Sequence, residues 1–210
     1  MSTPFDSPES AIESIRDGET VIVVDTNPSH ACGAFVVAAS HVTAEILSFF
    51  LNEGRGFLSV PVDQSICLKF GLRPLENTRS DGLCYTLSYN LADEGSTTGQ
   101  STSDRSKAIR AIVDPSTSPS ELRTPGFIQP ALTTSSGVLE SQTFASAATD
   151  LSRLAGLAPA GVIIHILRED GELARLEDLF KLAASHELKI VSLEGLVAHR
   201  ASHVASEKSW

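Results

Sequence analysis

The chain has 210 residues, enough for one sizeable core, and a formal net charge of −10 that argues against nucleic acid and anionic membrane surfaces as partners. No apolar run approaches the ~18 residues of a membrane span, and the N-terminus carries no signal-peptide pattern. Cys32, Cys67 and Cys84 fit no disulfide framework or zinc knuckle, which points to a reduced, cytoplasmic setting.

Ser7-Pro8-Glu9-Ser10 opens a helix whose apolar stripe, Ala11, Ile12 and Ile15, stops at Asp17-Gly18. The β-branched run Thr20 to Val24 predicts a buried strand, Asp25 to His30 a turn, and Gly33 to Ala39 renewed extended structure. A helix is expected near Thr43 to Asn52, ended by Gly54, with strands at Phe57 to Val62 and Leu83 to Tyr89. The Gly/Ser/Thr-rich stretch Glu94 to Ser106 leads into a helical pattern over Asp104 to Val113, so it reads as a pocket wall. Pro115 to Ser136 is expected to be irregular. Then follow a helix over Ala145 to Leu157 and a strand in which Val162, Ile164 and Ile166 alternate with Ile163, His165 and Leu167. A helix near Leu176 to Ser185, a strand at Leu188 to Leu193 and a short helix ending near Arg200 complete the order. Residues 1–200 are expected as a single domain and residues 201–210 as a disordered tail. Interleaved helices and strands without repeats predict an α/β or mixed α+β fold.

Several segments carry a resemblance: Gly54-Arg55-Gly56-Phe57, Ser96 to Arg105, Pro125-Gly126, Gly137-Val138-Leu139, Asp150 to Leu157, Pro159 to Val162 and Asp170 to Arg175. In this order and spacing they resemble the 3,4-dihydroxy-2-butanone-4-phosphate synthase family over roughly residues 8 to 200. The resemblance implies an α/β sandwich, a homodimer with active sites near the subunit interface, and a small-molecule substrate. The family reaction takes ribulose 5-phosphate to formate and a four-carbon ketone phosphate, with carboxylates for proton transfer, a divalent metal and cationic phosphate contacts.

Position by position, much of that equipment differs here. The family's acidic loop corresponds to Pro28 to Ala34, where Ser29 stands for an arginine, His30 for the metal-binding glutamate, Cys32 for a second glutamate and Ala34 for an aspartate. Asp25 matches a family aspartate. The family's Arg-Gly-Gly-His-Thr motif corresponds to Ser141 to Ala145, with Ser141 for the phosphate arginine and Phe144 for the metal-binding histidine. Phe127 stands for a further histidine, Ala108 for a threonine, and His165 for the late-strand glutamate that acts as acid and base.

These replacements predict a chain without cofactor or metal. The expected catalytic candidates are His165, Cys32, His30 and Asp25. A cysteine near two histidines suggests an activated thiolate or a transition-metal set, against the plainer reading of ordinary residues in a relaxed site. Expected substrate contacts are Arg105, Thr98, Thr97, Arg55, Phe127, Phe144 and Ser141; the plainer reading makes Asp104 a helix cap and Arg105 a locally paired side chain. Phe127 and Phe144 are expected in one pocket, either shaped for a less charged substrate or collapsed. The expectation for function is a repurposed, metal-independent enzyme performing isomerisation, cyclisation or elimination. A non-catalytic binding or regulatory homologue and an active synthase are the alternatives.

Overall fold

A computed structural model describes residues 5–27, 31–76, 84–92 and 98–207. The first helix, α1 (Pro8–Arg16), begins where Ser7 Oγ accepts the Ser10 N–H at 3.2 Å, and it buries Ala11, Ile12 and Ile15. Next, β1 (Val21–Asp25) and β2 (Cys32–Ala38) pair antiparallel, with Val21 opposite Val36 and Asp25 opposite Cys32. After α2 (Ala44–Phe49) a π-helical turn, Phe50–Gly54, delivers the chain into the long β3 (Arg55–Asp63) and then α3 (Gln64–Phe70). Two short strands follow, β4 (Cys84–Tyr85) and β5 (Tyr89–Leu91), and then α4 (Thr102–Ala111), β6 (Leu122–Ile128) and β7 (Pro130–Thr133). The last third comprises α5 (Phe144–Leu154), β8 (Gly161–Ile166), α6 (Leu176–Ser185), β9 (Lys189–Ser192) and α7 (Leu193–Glu207).

Seven strands form one mixed sheet in the order β4-β7-β3-β8-β2-β1-β9, while β5 and β6 pair separately. The period-2 alternation of strand side chains divides the core in two. Ile22, Val24, Phe35, Val37, Ile164 and Ile166 meet Leu47, Ile109 and Leu179 from α2, α4 and α6. Val21, Val23, Ala34, Val36 and Ile163 meet Ile15, Leu151 and Leu196 from α1, α5 and α7 on the other side. The architecture is therefore an α/β sandwich with helices on both faces of a mixed sheet.

Three stretches differ from their sequence pattern. The single strand expected over Leu83 to Tyr89 is two strands in different sheets: Tyr89 is fully buried, and its hydroxyl donates to the Ala108 carbonyl at 3.0 Å, drawing the chain off the large sheet. Residues 115 to 136 are not irregular throughout. Pro130 opens β7, where a strand tolerates the missing N–H, and Pro125 follows a cis peptide within the exposed β6. Finally, α7 continues through residue 207.

A buried polar network ties the α5 face together. Asp150 accepts the Val138 N–H at 2.9 Å and pairs with Arg153, while Arg200 of α7 lies 3.8 Å away. Arg153 also reaches Asp63, at the end of β3, at 2.9 Å. Both carboxylates are buried. Gly137, at φ +54°, sits against this network so tightly that a Cβ there would lie 2.1 Å from Asp150 Oδ2.

Candidate functional site

Strand register decides which of the candidate side chains meet. Asp25 is the partner of Cys32, and Ala34 is the partner of His165. Alternation then places Asp25, Cys32, Ala34 and His165 on the sheet face covered by α5. Cys32 and His165 are diagonal neighbours, about 7–8 Å apart on ordinary sheet geometry. The backbone of β3 crosses close by: a Cβ on Gly56 would lie 2.4 Å from the His165 carbonyl oxygen, so only glycine fits there.

The N-terminus of α5 roofs this group. Thr143 caps the helix, its hydroxyl accepting the Ser146 N–H at 3.2 Å, and Phe144 follows as the first helical residue. The Phe144 ring meets the His165 imidazole edge-on, with centroids 5.4 Å apart and planes at 84°. That contact favours one orientation of the imidazole. Beside it lies a small cavity of about 170 Å³ whose lining includes Thr133, Thr134, Ser141, Thr143, Ser146 and Cys84. The Glu140 carboxylate also lines it and accepts the Thr134 hydroxyl at 2.7 Å, so five hydroxyls, one carboxylate and a helix start make the hollow suited to a polyhydroxylated group. Thr143 escaped the sequence reading, although a Ser/Thr immediately before an apolar helix is the available signal.

The electrostatics alter one assignment. Burial first, and the neighbouring Asp25 carboxylate second, push the Cys32 thiol up to about 11. At neutral pH Cys32 therefore keeps its proton, which disfavours the activated thiolate among the alternatives the sequence left open. Cys67 is pushed up to about 12, again chiefly by burial.

The remaining candidates are dispersed. Phe127 is 49% exposed on β6 and shares no ring contact with Phe144 among the described residues. The reason is topological: β6 pairs with β5 outside the main sheet. Arg55 adopts φ +65°, donates from Nη1 to the Leu167 carbonyl at 3.3 Å, and lines a separate hollow of about 440 Å³ with Glu53, Arg168 and Asp178 beside α6. This removes it from the His165 group. Thr98 accepts the Gln100 N–H at 3.4 Å in the turn before α4, and Arg105 lies within α4. His30 and Thr97 lie outside the described residues.

The chain is thus a mixed α/β sandwich with a small polar hollow at the start of α5. The model of the 3,4-dihydroxy-2-butanone 4-phosphate synthase family matches residues 9–199, and the chain belongs to that family. It is 45% identical over 201 residues to the riboflavin biosynthesis protein RibBA of Cytophaga hutchinsonii, covering 95% of this chain and 50% of that protein. It is 41% identical to RibBA of Parabacteroides distasonis, covering 91% and 48%. The chain thus spans about half the length of these curated relatives. Among solved structures, the two-domain synthase RibBX of A. baumannii superposes with a TM-score of 0.87 at 33% identity, covering 93% of this chain and 58% of that one. The synthase of Candida albicans does so with 0.87 at 32%, covering 94% and 98%.

These findings correct two expectations. Relatives at 41–45% identity across nearly the whole chain carry riboflavin-biosynthesis names, which overturns both the repurposed isomerase, cyclase or eliminating enzyme and the non-catalytic homologue. The absence of a cofactor is corrected as well. A synthase solved in complex with two magnesium ions superposes with a TM-score of 0.87 at 28% identity, covering 93% of this chain and 96% of that one. The described residues do not themselves compose such a centre. They contain no group of three or more His, Cys, Asp or Glu side chains placed to hold a metal, and Phe144 occupies the position the resemblance gives to a ligand histidine.

Proposed function

We propose that this chain acts in riboflavin biosynthesis as a synthase domain, taking ribulose 5-phosphate to formate and 3,4-dihydroxy-2-butanone 4-phosphate. The observation that carries this reading is the 45% identity maintained over 201 residues with a riboflavin biosynthesis protein. The reaction begins by moving a proton between carbons of the sugar. In this chain His165 holds the proton-transfer position, oriented by Phe144, and Asp25 supplies a carboxylate on the same face. Cys32 carries a proton at neutral pH and contributes a weak donor. The hydroxyls of Ser141 and Thr143 and the start of α5 are the groups on this face that would receive the phosphate. With Ser29, Cys32 and Ala34 in place of charged groups, turnover is expected well below the ~10 s⁻¹ of a median enzyme.

The same reading makes the protein a cytoplasmic homodimer. No helix among the described residues is long and apolar enough to cross a membrane. Phe57, Leu87 and Phe127, each about half exposed or more, supply apolar surface for a second copy. The test is formate release from ribulose 5-phosphate with magnesium present, in the wild type and in His165→Ala. A loss of at least about a hundredfold is expected in the variant, the usual weight of a general acid–base group. A wild type that releases no formate above the enzyme-free rate sinks the reading.

A further inference from the structure

Helix α7 carries two histidines, His199 and His203, outside the groups that meet at His165. A spacing of four residues is just over one helical turn, so both side chains project from one face, one above the other. Their rings meet, with centroids 4.3 Å apart and planes inclined at 42°. The pair stands against the start of α1, where Glu9 Oε1 lies 3.0 Å from His199 Nδ1. On the second ring, His203 Nδ1 lies 3.2 Å from the His199 carbonyl oxygen. His199 is nearly buried and His203 is exposed, so the pair is reached from solvent on the His203 side.

The two oxygens decide which ring nitrogen holds hydrogen. A carboxylate and a carbonyl oxygen accept hydrogen bonds and donate none, so Nδ1 of each ring is the donor. In the neutral imidazole the lone pair then sits on Nε2 of both rings. Transition-metal sites use this tautomer and this support, because a ligating histidine gives its other N–H to a carboxylate or a backbone carbonyl. Histidines four residues apart on a helix are also the spacing with which helical zinc sites take two of their ligands. Sequence spacing, ring contact and the partners of both Nδ1 atoms therefore agree.

We propose that His199 and His203 form a surface site for a divalent transition metal of the zinc type, bound through the two Nε2 atoms with water completing the coordination. Two protein ligands are fewer than a dedicated zinc site uses, in keeping with the lack, among the described residues, of any group of three placed to hold a metal. The expected affinity is accordingly modest, with a Kd on the order of 10 µM. The ion ties two successive turns of α7 together and, through His199 and Glu9, braces that helix against α1. This site does not depend on the synthase reading and stands whether or not formate is released. The test is calorimetric titration of the full chain with zinc chloride near neutral pH, for wild type and His203→Ala, whose exposed position leaves the fold intact. His203→Ala is expected to bind at least about tenfold more weakly, because the chelate loses its second arm. Thermal melts should rise with excess zinc in the wild type, return on adding EDTA, and stay unmoved in the variant. Copper(II) in place of zinc reads the ligands directly: electron paramagnetic resonance should show two imidazole nitrogens in the wild type and one in His203→Ala. Equal zinc affinity in the two proteins overturns the proposal, as does the same copper spectrum in both or no saturable zinc binding below about 1 mM.

Discussion

Asp150 is buried within α5 and serves two guanidiniums and one backbone amide at once, so replacing it with alanine probes the whole α5 face. The substitution leaves the Val138 N–H without its acceptor, which costs about 1–3 kcal/mol for a buried group. It also strips Arg153 and Arg200 of their shared carboxylate, and breaking a buried ion pair from one side typically costs about 3–5 kcal/mol. Arg153 keeps Asp63 at 2.9 Å, which holds the total toward the lower part of that range, at about 3–4 kcal/mol. With a urea dependence of roughly 2–3 kcal/mol per molar, the unfolding midpoint should fall by about 1–2 M. Asp150→Asn retains an acceptor for Val138 and is expected to lose about half as much. Adding Arg153→Met to Asp150→Ala should recover part of the loss, because the second change removes a stranded cation. Equilibrium urea unfolding followed by circular dichroism measures all three. A fall below about 1 kcal/mol in Asp150→Ala would refute the claim that this carboxylate organises the network.

Two further outcomes are expected. Because burial holds Cys32 up near 11, its alkylation by iodoacetamide at pH 8 should run on the order of a hundredfold slower than that of a free thiol and should rise steadily toward pH 11; peptide mass spectrometry of quenched samples reads this, and a plateau below pH 9 contradicts it. Gly56→Ala forces a methyl to within 2.4 Å of the His165 carbonyl, so β3 and β8 must separate locally, at a cost of more than about 2 kcal/mol in urea unfolding; an unchanged midpoint shows that the strands yield freely.

Much of the fold was legible from side-chain periodicity. The β-branched run at 20–24 and the alternation through Val162 to Ile166 each imply a strand with two packed faces, and local sequence is enough for that. Tyr89 shows the limit. Its hydroxyl bond to Ala108 is a contact between distant elements, and it moves the chain from one sheet to another, which no window around Leu83 to Tyr89 records. The prolines of 115–136 misled for a related reason, since their tolerance depends on whether a strand needs that particular N–H. In the site, the resemblance nominated residues by position, but register alone shows that Asp25, Cys32 and His165 share a face while Arg55 and Phe127 do not join them. The function is not legible in the pocket substitutions alone, because the likeness to riboflavin biosynthesis proteins runs continuously through the rest of the chain. The protonation state of Cys32 is not legible either, because its burial between sheet and helix is not a property of its neighbours in sequence.

The two-sided packing of β2 and β8 has an evolutionary consequence. Phe35 and Ile164 face α2, α4 and α6, while Cys32, Ala34 and His165 face α5. Residues one step apart in the chain thus belong to separate selective compartments. One compartment can exchange carboxylates for small or ring-bearing side chains while the other preserves the scaffold unchanged. A lineage built on such strands can explore new pocket chemistry at single positions without first crossing an interval in which the protein does not fold.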